Sequence, residues 1–284
     1  MKISVIIPTY NRERTILRAL ESVKAQSFAP FECWVVDDGS TDKTEELVND
    51  FIQTSKLANF FYLKTENRGV SAARNLGVIK SIGEWVAFLD SDDEWLPQKL
   101  AEQKKFMESN PELELVFTDE IWFRNSVKVN QKKKHQKSGG DLFERSMEQC
   151  LIGPSTVLMK KALFLKLGGF REDFPVCEDY DLWLKTLSQF SVGYLPQALI
   201  NKYGGHTDQL SSQAGMDYYR VKALYSLLET LPLTDSQAKH AQALLQSKGK
   251  ILLAGYEKYQ NFQHQKEVEA MLSPSRAEAF ASLV

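Results

Sequence analysis

Residues 85–93 read WVAFLDSDD, a short apolar run that ends directly in a cluster of polar residues. The first five have the composition of a buried strand, so Asp90, Ser91, Asp92 and Asp93 stand where that strand ends. Carboxylates in such a place can hold a hard divalent cation such as Mn2+ or Mg2+. That cation could bridge a diphosphate and neutralise its charge. Because Asp and Ser also favour turns and helix caps, this segment by itself leaves both interpretations open.

Similar strand candidates lie on either side of this stretch, at residues 2–7, 32–37, 60–63 and 113–118. Helical periodicity separates them, at residues 14–25, from about residue 41 to Phe51, and at 71–82 and 96–107. Strand–helix alternation predicts an α/β fold whose mostly parallel sheet carries helices on both faces. Ligands of such sheets bind outside the carboxyl ends of the strands, so we expect the site at that edge.

Two more polar clusters follow predicted strands. Residues 9–12 read TYNR, and residues 37–40 read DDGS. In the second cluster a carboxylate could accept hydrogen bonds from a base or a ribose, and Gly39 would let the backbone approach a ligand closely. A helix-capping turn explains the same residues, and the segment alone does not decide between the two.

Two predicted helix starts carry candidate reactive groups. Residues 67–75 place Arg74 about one turn into a helix whose free amides favour an anion. Arg74 could therefore reach a phosphate, or it could be a surface Arg at a capped helix. Glu178 and Asp179 open another helix, where acidic residues favour the helix dipole. One of them could instead be a general base. His206, after two glycines, could be a loop residue or a ligand for metal or phosphate.

Composition narrows the function classes. The chain has 284 residues, 43% hydrophobic and 25% charged, with a net charge of -2, which disfavours a general nucleic-acid binder. Three scattered Cys fit a reducing compartment. The first apolar run is too short for a signal peptide and no apolar stretch could span a bilayer, so we expect a cytoplasmic protein. The basic residues 132–137 favour a solvated loop, with contact to phospholipid or an anionic acceptor as the alternative.

Taken together, the motifs resemble those of the family 2 glycosyltransferases, which have the GT-A fold. The matching segments, in the expected order, are residues 4–12 (SVIIPTYNR), 36–42 (VDDGSTD), 67–75 (NRGVSAARN), 88–93 (FLDSDD), 168–170 (GGF) and 178–183 (EDYDLW). The resemblance covers about the first 210 residues. It is specific because several independent motifs recur in one order.

The resemblance implies a role for each candidate residue. The residues that would bind a nucleotide-sugar are Pro8, Thr9, Tyr10, Arg12, Asp37, Asp38, Arg74, Asp90 and Ser91. Among these, Asp37 would meet the base, Arg74 the diphosphate and Asp90 the ribose. Asp92 would bind Mn2+ or Mg2+, and His206 would close the metal–diphosphate site. Asp179 would be the catalytic base, with Asp93 and Glu178 supporting their neighbours.

The implied protein is an inverting, metal-dependent glycosyltransferase. Its GT-A domain would span residues 1–212, with a nucleotide-binding half at about 1–118 and an acceptor half at about 119–212. Residues 213–284 would form a helical appendage, which we expect to pack on the catalytic domain. The donor would be a nucleotide-diphosphate sugar, with UDP favoured. The acceptor would be a hydroxyl group of a glycan, of a lipid-linked sugar or of another molecule, in bacterial-type surface polysaccharide or lipopolysaccharide synthesis. Peripheral contact with the inner face of a membrane fits this role.

Two other functions fit parts of the sequence. A nucleotidyltransferase also needs carboxylates, a metal and a nucleotide, but the amino-terminal segment lacks the glycine-rich loop common in such enzymes. A binding module that keeps the fold without turnover is the second alternative. The presence of both Asp92 and Asp179 argues against it. An NAD-dependent oxidoreductase is disfavoured because no GxGxxG follows the first strand.

Overall fold

The computed structural model describes residues 1–125, 127–131, 135–137, 142–205 and 215–273. Its strands are β1 (Ile3–Thr9), β2 (Glu32–Asp37), β3 (Phe60–Lys64), β4 (Trp85–Phe88), β5 (Glu94–Trp95), β6 (Leu115–Arg124), β7 (Val127–Val129), β8 (Val157–Lys160) and β9 (Gly193–Gly204). Its helices are α1 (Ile16–Lys24), α2 (Thr44–Thr54), α3 (Val70–Lys80), α4 (Lys99–Ser109), α5 (Phe143–Glu148), α6 (Lys161–Lys166), α7 (Glu178–Leu187), α8 (Met216–Thr230), α9 (Asp235–Tyr259) and α10 (Gln265–Leu272).

The strands form one mixed sheet in the order β3-β2-β1-β4-β8-β6-β9-β5, with β7 paired to β6. The first four strands in that order are parallel, and antiparallel pairing begins where β8 joins β4. The predicted α/β sheet is therefore confirmed, with parallel pairing among β1, β2, β3 and β4 and again between β6 and β9. In the β1–β2 register Thr9 lies opposite Asp37, so the loops that follow both strands leave from the same edge.

Strand β1 divides its side chains between the two faces of the sheet, because successive residues of a strand point to opposite sides. Ile3, Val5 and Ile7 join a core cluster with helix α1, whereas Ile6 joins a second cluster with Val78 of helix α3. Both faces of β1 are thus covered by helices, which is why all seven of its residues are buried.

Helix α3 lies directly on the sheet. A Cβ atom on Gly77 would stand 2.5 Å from Cγ2 of Ile6, so only glycine permits this approach. The close contact fixes the axis of α3 against β1 and β2. Arg74, one turn before Gly77, is consequently held close beneath the edge where the strands end.

The carboxyl-terminal helices pack on the α/β body, as expected from the sequence. Side chains of α8, α9 and α10 share a hydrophobic cluster with α5 and α7, represented by Leu224, Leu245, Val268, Phe143 and Tyr180. Across the residues that the structure describes, no helix combines the length and apolarity needed to cross a membrane.

The sequence pattern did not predict strand β9. The strand contains Pro196, and its pairing with β6 shifts between Thr118 and Asp119, which pair with Leu195 and Ala198. Pro196 and Gln197 therefore lie in a bulge, a place where a strand tolerates proline. The bulge at this proline interrupts the alternation by which a half-buried strand is recognised.

The expectation of a solvated basic loop at residues 132–137 is wrong for Lys137, while residues 132–134 lie outside the described part. The Lys137 side chain is 2% exposed, and its Nζ lies 3.4 Å from Oε1 of Glu120. It also donates to the carbonyl of Thr118 at 3.2 Å. A buried lysine needs such partners, because an unpaired charge is costly to remove from water.

Candidate active site

The loops after β1 and β2 are joined into one surface by hydrogen bonds. The backbone NH of Asn11 donates to Oγ of Ser40 at 2.8 Å, and that of Arg12 donates to Oγ1 of Thr44 at 2.8 Å. In return, the backbone NH of Thr41 donates to Oδ1 of Asn11 at 2.9 Å. The two polar clusters therefore form a single preorganised edge.

Four residues expected to bind the nucleotide lie at the end of β1 or just after it, and they differ in exposure. Pro8 and Thr9 are buried, and Oγ1 of Thr9 has no hydrogen-bond partner among the described residues. Arg12 is half-buried. Tyr10 is 44% exposed at the end of the strand, so its ring is free to cover a flat ligand.

Asp37 differs from its expected role as a direct contact for a base. Its side chain is 0% exposed, with Oδ1 accepting from the NH of Ser40 at 2.7 Å and Oδ2 from the hydroxyl of Tyr62 at 2.6 Å. Both oxygens are thus engaged in holding the loop. In this structure Asp37 shapes the surface rather than presenting itself on it.

Asp38 connects the end of β2 to the start of helix α3. Its two oxygens accept from the backbone NH groups of Arg68 and Gly69, at 2.7 and 2.8 Å. Burial raises the pKa of Asp38, although these two hydrogen bonds oppose the rise. The carboxylate therefore fixes the backbone turn that leads into helix α3.

Arg74 is the centre of a buried ion cluster. Its Nη2 donates to Oδ1 of Asp90 and its Nη1 to Oε1 of Glu178, each at 2.6 Å. The Arg74 side chain is 3% exposed, and its guanidinium carbon lies 5.0 Å from the centre of the Phe170 ring. Arg74 thus ties the end of β4 to the start of α7, while its buried Nε has no hydrogen-bond partner among the described residues. Its expected role toward a diphosphate stays a prediction.

The loop after β4 is fastened by Ser155. The backbone NH of Asp90 donates to Oγ of Ser155 at 3.1 Å, and that hydroxyl donates to Oδ2 of Asp93 at 2.7 Å. Oδ1 of Asp93 accepts from the NH of Tyr203 at 3.2 Å. Burial, and next the charge of Asp92, raise the pKa of Asp93 well above its ordinary value. Asp93 thus supports the loop, and Ser91 beside it is buried.

Asp92 is half-buried, as is Asp90 of the same loop. Its carbonyl accepts a hydrogen bond from Nη2 of Arg18, whose guanidinium lies 3.7 Å from the centre of the Tyr203 ring. Arg18 and Tyr203 therefore fix the backbone that carries the candidate metal ligand.

The oxygen chemistry of Asp90 and Asp92 suits Mn2+ or Mg2+. Within the described residues, however, no group of three His, Cys, Asp or Glu side chains could hold a metal ion. His206 lies outside those residues. The carboxylates fit a metal that takes one or two protein ligands and completes its shell with substrate phosphates, as Mg2+ often does.

The two acidic residues that open helix α7 have different environments. Glu178 is buried, and burial, followed by the charge of Asp179, raises its pKa to about 7 although Arg74 opposes the rise. Asp179 is half-buried and accepts from Sγ of Cys150 at 3.5 Å and from the NH of Tyr180 at 2.7 Å. Asp179 is thus the partly open carboxylate of the pair.

Comparison with known proteins decides the family. The family model described as Glycosyl transferase family 2 matches residues 4–163, more than half of the chain. The chain belongs to glycosyl transferase family 2. The resemblance drawn from its motifs is therefore confirmed.

Individual relatives agree with this assignment. An uncharacterized glycosyltransferase of Rickettsia felis is 37% identical over 204 residues, 70% of this chain and 32% of that protein. The chain spans about a third of the length of this and two further Rickettsia relatives. An Escherichia coli protein is 34% identical over 212 residues, 74% of this chain and 79% of that protein. Its name is UDP-Glc:alpha-D-GlcNAc-diphosphoundecaprenol beta-1,3-glucosyltransferase WfgD.

Solved structures confirm the GT-A fold. The crystal structure of S. aureus TarS 1-349 in complex with UDP-GlcNAc matches with a TM-score of 0.71 and 23% sequence identity, over 96% of this chain and 78% of that chain. At this identity the likeness concerns the fold alone.

In this family 2 glycosyltransferase, sequence reasoning missed several residues of the site. Ser155 and Arg18 hold the loop of Asp90–Asp93, and Glu120 lies buried on β6 beside Lys137. Lys202 of β9 is the fourth, and its electrostatic neighbours are Glu120, Asp93, Asp90 and Asp179. None of the four lies in a motif, so only the folded arrangement reveals them.

Proposed function

We propose that the chain is an inverting, metal-dependent glycosyltransferase that moves a sugar from a nucleotide-diphosphate donor, UDP-linked by preference, to an acceptor hydroxyl. The observation that carries the proposal is the Arg74 cluster. Through two contacts of 2.6 Å, Arg74 joins Asp90, at the donor edge of the sheet, to Glu178, the neighbour of the proposed base Asp179. This buried charge network holds the loop after β4 against the start of α7, which supports a shared site.

The donor pocket is proposed at the joined loops after β1, β2 and β4. Tyr10, exposed just after β1, would cover the base, with buried Thr9 supporting the end of the strand. Asp37 and Asp38 would hold the pocket wall through their hydrogen bonds to Ser40 and to the start of α3. The name of the Escherichia coli relative, which specifies UDP-Glc, supports UDP as the nucleotide.

Asp92, with Asp90 beside it and His206 as the expected closing ligand, would hold Mn2+ or Mg2+ against the diphosphate. The metal, when bound, supplies positive charge that stabilises the departing nucleoside diphosphate. Asp93 and Ser155 keep the loop in place for that purpose, since their hydrogen bonds connect it to β9 and to the turn before β8.

Asp179 would take the proton from the acceptor hydroxyl, which must lie within hydrogen-bond reach. The acceptor oxygen forms a bond to the anomeric carbon while the bond from that carbon to the diphosphate oxygen breaks. The nucleoside diphosphate leaves with the bonding electrons from the opposite face, so the anomeric configuration inverts. Cys150, which donates to Oδ2 of Asp179 at 3.5 Å, would help to orient the carboxylate.

The acceptor is proposed to be a glycan or lipid-linked sugar of bacterial-type surface polysaccharide or lipopolysaccharide synthesis. The relative's name specifies a diphosphoundecaprenol-linked acceptor, which supports this class. An acceptor carried on a lipid implies work at the cytoplasmic face of a membrane, through peripheral contact.

Calorimetric titration of the protein with UDP, GDP and dTDP tests the proposal, once with Mn2+ and once with EDTA. We expect UDP to bind, and to bind more tightly with Mn2+. Incubation with a UDP-sugar should then release UDP. Release of pyrophosphate from a nucleoside triphosphate would indicate a nucleotidyltransferase instead. Binding without any turnover, across a panel of acceptors, would indicate a silent binding module.

A further inference from the structure

Lys202 is a cation held at a defined place in the site. It lies in β9 opposite Trp122 of β6, and both of its neighbours in the strand are fixed. Nδ2 of Asn201 donates to Oε2 of Glu94 at 2.9 Å, and the NH of Tyr203 donates to Oδ1 of Asp93 at 3.2 Å. The backbone of Lys202 is thus anchored to the loop that carries Asp90 and Asp92.

The ammonium group of Lys202 is surrounded by carboxylates without touching one. Its electrostatic neighbours are Glu120, Asp93, Asp90 and Asp179, which belong to both halves of the site. In the part of the chain that the structure describes, Nζ has neither a hydrogen bond nor an ion pair within 4.0 Å. Nζ therefore has donor hydrogens that none of these carboxylates accepts.

Two other cations of the site already have carboxylate partners. Nη1 of Arg74 donates to Glu178 and Nη2 to Asp90, while its buried Nε has no hydrogen-bond partner among the described residues. Lys137 donates to the carbonyl of Thr118 and lies 3.4 Å from Glu120. Lys202 is different because its Nζ makes no hydrogen bond or ion pair within 4.0 Å among the described residues, while its backbone is anchored by Asn201 and Tyr203.

Gly153 keeps the space around this ammonium clear. A Cβ atom there would stand 3.4 Å from Nζ of Lys202 and 3.4 Å from Oε2 of Glu120. The absence of a side chain leaves room for a ligand oxygen beside Nζ. Lys202 also keeps its charge, because Glu120 foremost and then the other carboxylates raise its pKa, against the effect of burial.

A diphosphate placed beside Asp90, Asp92, Asp93 and Asp179 would be repelled by like charge. It needs a positive group that is not already neutralised. We propose that Nζ of Lys202 binds a phosphate oxygen of the nucleotide-sugar donor's diphosphate and stabilises the charge on that diphosphate as it leaves. This inference rests on the proposed function and adds a donor-binding residue from the carboxyl-terminal part of the sheet.

The test is the affinity of Lys202→Met for UDP and for uridine, measured in EDTA so that no metal contributes. A hydrogen bond between charged partners supports a fall of about 10- to 100-fold in UDP affinity. Uridine, which lacks phosphate, should bind the variant as it binds the parent. Lys128→Met is the matched control, because Lys128 is an exposed lysine on β7 paired to the same strand β6.

Removal of one charge from a carboxylate cluster can destabilise the fold, so a second variant is included. Lys202→Met combined with Glu120→Gln removes the ammonium together with the carboxylate that acts on it most strongly. It should show the same selective loss of UDP affinity. Lys202→Arg should retain most of that affinity.

Equal affinity of the parent and Lys202→Met for UDP would overturn the proposal. Parallel loss of uridine and UDP would overturn it too, since it would show collapse of the pocket. Failure of the parent protein to bind UDP at all, with or without Mn2+, would instead contradict the proposed function.

Discussion

Glu178→Gln tests whether burial makes ionisation of the carboxyl group beside the proposed base unfavourable, and so lowers the stability of the fold at higher pH. Glu178 is 5% exposed, and its pKa is raised from 4.5 to about 7 by burial and by Asp179. A carboxyl group whose pKa is higher in the folded chain binds its proton more tightly there than in the unfolded chain. Its contribution to stability is therefore lost as pH rises from the unfolded pKa to the folded one.

The size of the effect follows from the two pKa values. Because one pKa unit corresponds to about 1.4 kcal/mol, a rise from 4.5 to about 7 costs about 3 kcal/mol once the group is fully ionised. Glutamine does not titrate. Between about pH 5 and about pH 8, the free energy of unfolding of Glu178→Gln, relative to the parent, should therefore rise by about 2.5 kcal/mol.

Urea denaturation of both proteins across this pH range measures the difference in their free energies of unfolding. The contributions of the other titrating groups are nearly the same in both proteins and largely cancel in that difference. Asp173→Asn serves as the control of opposite sign. Hydrogen bonds from Arg171 and Lys222 lower the pKa of Asp173 below its ordinary 3.8, so its stabilisation is complete above that pH and is lost only as pH falls. Its difference from the parent should stay flat. A flat difference for Glu178→Gln would refute the reasoning.

Three further predictions follow from the site and the fold. Asp179→Asn should lower sugar transfer by about 1,000-fold, by loss of the base, and change UDP affinity by less than about threefold; near-normal transfer would exclude Asp179 as the base. Asp92→Ala should remove the Mn2+-dependent part of UDP affinity in calorimetry, and an unchanged dependence on Mn2+ would exclude Asp92 as a ligand. Gly77→Ala should destabilise the fold by about 1–3 kcal/mol, because its Cβ would stand 2.5 Å from Ile6. The control, Gly255→Ala, meets nothing within 4 Å and should not destabilise; equal unfolding midpoints for both would contradict the packing argument.

The amino-terminal half of the fold was predictable because its signals are local. Each of β1, β2, β3 and β4 is a short apolar run followed by a polar turn, and each connection contains a periodic helix or a cap. Strand β9 gives no such signal. Its identity depends on pairing with β6, some seventy residues earlier, and the bulge at Pro196 hides its periodicity.

The location of the site was predictable for a related reason. Parallel strands present their carboxyl ends at one edge, so polar residues after β1, β2 and β4 were expected together. Which charges pair could not be predicted. The motif that contains Arg74 predicts a contact with a ligand, but it gives no sign that Asp90 and Glu178 also pair with this residue.

The way in which charges pair also explains why Lys202 is a candidate for ligand binding although it lies in no motif. A cation that donates to two carboxylates, as Arg74 does, is held still and has little to offer a ligand. Lys202 is held by the hydrogen bonds of Asn201 and Tyr203 instead, through its backbone rather than its charge. The neighbouring residues position the backbone and Lys202 supplies the charge, so its ammonium group stays ionised and open to an anion.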